Sequence, residues 1–233
     1  MKLRNEIRDE AYFREYLGNR IYDLEDYQTS LDNDEIREDR ILPVKEVMQD
    51  IKYKVMVAKY SAGYPLEEIK KDYIEVLNGI FPYWSDNPEL SERINMVAIG
   101  IMLEIEDEYF DVLAKFIDET GEKEYMFDYF IHSRRPGWEI SDKVRFSGVF
   151  GWIKEVTHMN KPDAEAFLAE YLKNKWYSTH EDFYWHDNHK SKVNTYFGYW
   201  CFEAGAIVKI MGLDDTAFKD NQYYPYDLVH YKS

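Results

Sequence analysis

Apolar residues recur at three- and four-residue spacing along most of this chain, and no stretch alternates long enough to make a convincing strand. That periodicity predicts an all-α fold of stacked antiparallel helices. Leu3, Ile7, Ala11, Tyr12 and Phe13 mark a first helix over residues 3–17, with Gly18 as its expected stop. Pro43 suits a first helical turn, and Val44, Val47, Met48, Ile51, Val55 and Ala58 form a stripe behind it. Gly63 should end that helix and Pro65 should open the next, which runs to about Gly79, so the two form a hairpin. An aromatic loop, FPYWSDN, spans residues 81–87, and Asn87-Pro88 opens a helix through about Leu103 with Ile94, Val97, Ala98, Ile101 and Ile105 as its stripe. Another helix ends before Gly121. A boundary at residues 120–123 divides the chain into a domain over 1–121 and one over 122–233.

In the second part the pattern predicts a helix over 124–131, a turn at Arg134–Trp138 where Pro136 and Gly137 break the helix, a helix over 143–156 capped by Asp142, and one opened by Lys161-Pro162 through about Lys173. Residues 180–190 read as a loop. Residues 198–211 are apolar on almost every face, interrupted only by Glu203 and Lys209. A helix of that kind belongs inside the protein, and Ala204, Gly205 and Ala206 would let a neighbouring helix come close. Gly212 sits where a left-handed cap is wanted, Asp214 and Asp215 are N-cap candidates for a short turn, and Pro225 suits the start of a last one. The expected architecture is a two-part helical domain built over a buried C-terminal central helix.

Charge sharpens this picture. Residues 1–121 carry 28 acidic and 15 basic side chains, and residues 122–233 carry 17 and 14, for a net −16. A field of that sign repels nucleic acid and anionic membranes and favours a basic partner. The charged N-terminal sequence lacks the apolar core of a signal peptide, and no run reaches the length of a membrane span. The single cysteine, Cys201, lies in the apolar run and reads as a buried structural thiol of a reducing compartment, so the chain is expected to be cytoplasmic.

Candidate chemistry is sparse. His180, Asp182, His186, Asp187 and His189 are the one group with metal-ligand residue types, but their spacing matches no ligand pattern, and a solvated loop anchored by Phe183, Tyr184 and Trp185 explains the same residues. Glu203 is the carboxylate most exposed to perturbation by burial, and a hydrogen-bond partner that holds helices in register is its simpler role. His132, His158 and His230 are isolated, and Arg134-Arg135 is too small a patch for nucleic acid. No phosphate loop or nucleophile–base arrangement is legible, so no cofactor is expected.

The run GYWCFEAGAIVKIMGLDD, followed by YYPYDLVHY, closely resembles the C-terminal signature of the PoNe immunity proteins, and YSAGYPLEEIKKDY at 60–73 resembles the family's N-terminal domain. The resemblance implies a non-enzymatic antidote that binds a cognate bacterial DNase toxin in interbacterial competition, including type VI secretion. It also gives the acidic clusters a use. An acidic surface can occupy or border the phosphate-binding cleft of a nuclease. The toxin-binding residues expected on that basis are Asp32, Asp34, Glu35, Glu38 and Asp39; Glu104, Glu106, Asp107 and Glu108; and Glu181, Asp182 and Asp187, with Trp84, Tyr184 and Trp185 as aromatic anchors. The rival readings are a metal-dependent enzyme using the loop at 180–189 and a general helical adaptor.

Overall fold

The computed structural model describes residues 2–80, 90–121 and 123–232. The aromatic loop, the Asn87-Pro88 cap and Trp84 lie outside the described residues. Among those described there are ten α-helices and no strand. They form two compact units that the chain visits in alternation: residues 1–86 with 187–199, and residues 87–186 with 200–233.

The first unit holds α1 (Glu10–Asp32), α2 (Glu38–Ser61) and α3 (Leu66–Ile80), packed in sequence as an antiparallel set. Asp9 caps α1 by accepting from the Tyr12 amide at 2.8 Å. Gly18 does not end this helix. The seam of Phe13, Tyr16 and Leu17 continues through Arg20, Leu24, Tyr27 and Leu31 at helical spacing, and that interface carries the helix past an exposed glycine worth only about 1 kcal/mol of helix propensity. Likewise Pro43 falls inside α2 instead of opening it, because the helix begins at Glu38. Gly63 does end α2, at φ +88°, and a Cβ there would lie 2.0 Å from the Lys2 carbonyl oxygen. Lys59 joins Asp72 across α2 and α3 at 2.8 Å.

The returning segment at 187–199 completes this unit. Tyr12 Oη donates to the Tyr196 carbonyl (3.1 Å) and accepts from the Tyr196 amide (2.8 Å). Tyr196 Oη donates to Asn5 Oδ1 at 2.6 Å, and Ser61 Oγ donates to the Phe197 carbonyl at 2.8 Å. The segment is therefore tied to both ends of the α1–α2 hairpin's proximal half.

The second unit contains α4 (Leu90–Met102), α5 (Asp107–Glu119), α6 (Tyr125–His132), α7 (Ser147–Val156), α8 (Lys161–Asn174), α9 (Phe202–Met211) and α10 (Tyr226–Val229). Helix α9 is its buried centre and packs against α4 and α10. It begins at Phe202, four residues later than the apolar run suggested. Gly198 takes φ +124° and the Cys201 amide donates to the Tyr223 carbonyl, and residues 196–201 are buried outside any helix. Gly205 is where the neighbours come close: a Cβ there would lie 2.5 Å from Met102 Sδ and 2.8 Å from Pro225 Cγ.

Gly212 caps α9 at φ +61°, as expected. Residues 216–220 are a run of turns, not a helix, with Asp214 accepting from Thr216. Asp142 does not cap α7, which starts only at Ser147. Buried Glu124 and Asp128 hold the preceding chain instead, accepting from the Arg145 amide (2.8 Å), the Ser141 amide (3.0 Å) and Trp138 Nε1 (2.8 Å), while Asp142 pairs with Lys154.

Candidate functional site

The five acids at 32–39 converge at the tip of the α1–α2 hairpin. Asp32 ends α1, Glu38 and Asp39 lie in the first turn of α2, and Asp34 takes φ +57° in the link between them. All five are exposed. Gln28 donates to Asp32 and Arg37 pairs with Asp39 at 2.6 Å, whereas Asp34 and Glu38 have no ion pair among the described residues.

The second cluster is bound into a network that spacing gave no reason to expect. Asp107 Oδ1 accepts from Arg134 at 2.7 Å and Arg135 at 3.2 Å, and Arg135 also reaches Asp111 at 2.6 Å. Both guanidinium groups sit over the Phe110 ring, 4.3 and 5.3 Å from its centroid. The two arginines hold the Asp107 carboxyl below its ordinary range, and the Asp111 and Asp107 carboxylates raise Arg135 in turn. Asp107 is thus partly neutralised at home. Glu104, at φ +46°, pairs with Lys209 at 2.8 Å, while Glu106 and Glu108 flank the start of α5.

The third cluster is dispersed by the fold. Glu181 and Asp182 are exposed in the turns after the short 3₁₀ helix Ser178–His180. Tyr184 donates to Glu92 at 2.7 Å. Trp185 is half-buried and stacked on Trp176, with centroids 5.5 Å apart. Asp187 belongs to the first compact unit, not the second, and pairs with Lys190.

The histidines of this region do not gather. His180 is buried among Phe150, Trp176, Phe183 and Trp185, its Nδ1 is 2.6 Å from the Trp176 carbonyl oxygen, and burial lowers its pKa to about 4. His186 packs on Tyr177 in the second unit, and His189 meets Tyr199 Oη at 2.9 Å in the first. Among the described residues no group of three or more His, Cys, Asp and Glu could hold a metal ion.

Glu203 is fully enclosed, accepts from Trp176 Nε1 at 3.0 Å, and is raised above the ordinary carboxylate range by burial. Its partner is the Trp176 indole, a neutral hydrogen-bond donor and not an ion-pair partner. Cys201 beside it is buried, and burial pushes its thiol up. No described helix is long and apolar enough to cross a membrane.

The fold also redistributes charge. The first unit has 20 acidic and 15 basic side chains, and the second has 25 and 14. The excess that the sequence places in its first half therefore belongs more to the second unit, because α4 and α5 pack there.

A family model described as PoNe immunity protein, N-terminal, matches residues 4–115, and one described as PoNe immunity proteins, C-terminal, matches residues 122–228. The first of these spans reaches into α5 and so into the second compact unit. Among solved structures, protein PA2201 from Pseudomonas aeruginosa matches with a TM-score of 0.71 at 16% identity, over 98% of this chain and 90% of that one. At that identity the likeness speaks for the fold alone. No curated protein matches the chain.

Proposed function

Because this chain belongs to the PoNe immunity protein family, we propose that it binds and neutralises a cognate bacterial DNase toxin by stoichiometric occlusion of the toxin's active or DNA-binding surface. The observation that carries the reading is the match of both family models, which together take in nearly the whole chain. The family supports an immunity role and a toxin partner. Occlusion by a protein surface asks for no catalysis by this chain, and we read it as a non-enzyme acting in the cytoplasm, without direct contact to nucleic acid or membrane. We also propose that residues 1–121 and 122–233 are the two family halves, a division supported by the matched spans.

The net charge of −16 supplies the physics. A DNase must carry a basic cleft to hold phosphates, and an acidic protein steers toward it and competes with DNA for the same charges. The acids at 32–39, 104–108 and 181–187, with Trp84, Tyr184 and Trp185, are the proposed contacts. Among them the hairpin-tip acids keep the most unpaired charge, since Glu104, Asp107 and Asp187 are engaged by Lys209, Arg134 with Arg135, and Lys190.

The deciding experiment is co-purification with the product of the adjacent upstream gene, followed by plasmid cleavage with and without the chain. A one-to-one complex that abolishes cleavage is expected. Full cleavage in the presence of excess chain removes the proposal.

A further inference from the structure

Helices α1 and α2 are continuous over 23 and 24 residues, yet their packing is lopsided. Every buried side chain of α1 lies at Phe13, Tyr16 or Leu17, and the first of α2 is Met48. Between them, from residue 18 to residue 47, no side chain is buried. Among the described residues the distal half of the hairpin is held by a seam of half-buried Leu24, Tyr27, Leu31, Ile41 and Val44, and α3 reaches it only at its end, where Asn78 and Gly79 line a cleft with Leu31, Ile41 and Lys45.

This half carries exposed apolar side chains that its own seam does not use: Ile21 (42% exposed), Tyr22 (67%), Leu42 (52%) and Val47 (43%). Their directions matter. Ile21 and Tyr22 are adjacent, about 100° apart around the helix, and Leu42 and Val47 are five residues apart, about 140° around theirs. They leave more than one flank of each helix. A flat interface would gather them on one side, whereas an element enclosed by its partner presents them all round.

Charge agrees. Residues 18–47 contain nine acidic and four basic side chains, while the rest of the first unit contains eleven of each. The whole net charge of the unit therefore resides on this half-hairpin. Glu25, Asp26, Asp34, Glu38 and Glu46 are exposed and have no ion pair among the described residues. Two packed helices are about 20 Å across and the distal half is about 20 Å long, of the order of the groove that holds a DNA duplex.

We propose that the distal half of the α1–α2 hairpin is a plug that enters the concave, basic DNA-binding cleft of the DNase. Its acids take the place of phosphates, and Tyr22, Ile21, Leu42 and Val47 seat against the cleft walls. The proposal rests on the immunity reading and adds to it the element that does the occluding and the apolar anchors that the acidic clusters alone did not reveal.

Two variants test it, both at exposed positions that leave the core intact: the charge reversal Asp26→Lys/Asp34→Lys/Glu38→Lys, and Tyr22→Ser/Leu42→Ser. The control is Asp118→Lys/Glu155→Lys on the second unit. Binding is measured to a catalytically inactive form of the DNase that co-purifies with this chain, at two salt concentrations, with thermal melts confirming folding. The reversal should weaken binding about 100-fold and flatten its salt dependence, the apolar pair should weaken it about 10-fold, and the control should stay within about twofold. Wild-type affinity in both hairpin variants overturns the plug and leaves the immunity reading standing. Failure of the wild-type chain to bind the DNase overturns both. A concentration-dependent dimer that Tyr22→Ser/Leu42→Ser abolishes assigns the surface to a second copy of the chain, and that also overturns the plug.

Discussion

Glu203 Oε1 accepts a hydrogen bond from Trp176 Nε1 at 3.0 Å in a fully buried setting, joining the central helix to the chain that follows α8. Burial holds the Glu203 carboxyl above its ordinary range, so the folded state binds that proton more tightly than the unfolded chain does. The stabilisation this gives is fully present below the unfolded pKa and is lost as pH rises through the folded one. Glu203→Gln keeps an acceptor for the indole and removes the ionisation, so it should melt higher than the wild type near pH 8, with the gap closing in acid. Glu203→Leu leaves the indole N–H unpaired and should cost roughly 2–4 kcal/mol in urea unfolding.

His180 titrates with the opposite consequence. Burial lowers its pKa from 6.5 to about 4, although the Trp176 carbonyl pulls the other way. Neutral His180 contributes stability that is present above pH 6.5 and lost as pH falls through that value toward 4, up to about 3 kcal/mol in all. Thermal melts across this window should show a slope in the wild type that His180→Phe reduces.

Lys209 is the second polar interruption of the apolar run, and it holds two helix ends. Its Nζ donates to the carbonyls of Met102 (3.0 Å), Val229 (3.2 Å) and Tyr231 (3.1 Å), and pairs with Glu104 at 2.8 Å. Lys209→Met retains most of the stem but strips the ends of α4 and α10 of their donor. A loss of about 2–4 kcal/mol is expected in chemical denaturation, and a loss below about 0.5 kcal/mol would show that water replaces the ammonium.

Gly205 fixes the distance between α9 and its neighbours. Gly205→Ala drives a methyl group toward Met102 Sδ and the Pro225 ring and should cost roughly 1–3 kcal/mol. Adding Met102→Ala relieves only the flexible contact, so the double variant should recover none of the part due to Pro225. Additive losses in a double-mutant cycle would show that Met102 is not what the methyl group meets.

These four positions show what a single sequence discloses. The apolar run around Glu203 and Lys209 is legible because burial on every side leaves a local mark, and the Gly63 and Gly212 caps follow from the same short-range chemistry. The start of α9 is not legible, because a buried non-helical segment at 196–201 is as apolar as a buried helix. Gly18 misleads because the seam that overrides it is held by packing against α2, which local sequence does not show. Asp142 misleads because its partner is Lys154 and the chain before α7 is held by Glu124 and Asp128. The Asp107–Arg134–Arg135 network joins residues far apart in sequence, although the i, i+4 pair Asp107 and Asp111 was visible. Most instructive is the hairpin. Its acids stand out in the sequence, but that Tyr22 and Leu42 face solvent depends on where packing stops.

The return of residues 187–199 to the first unit bears on how the chain is born. Synthesis is vectorial, so α1, α2 and α3 leave the ribosome long before Tyr196 and Phe197, whose contacts with Tyr12, Asn5 and Ser61 close their core. Until about two hundred residues have been translated, the hairpin that carries the unit's net charge stands on an unfinished base. A nascent chain truncated before that point presents the acidic tip without a finished scaffold beneath it. Protection would then begin only with the completed polypeptide and not with its amino-terminal half.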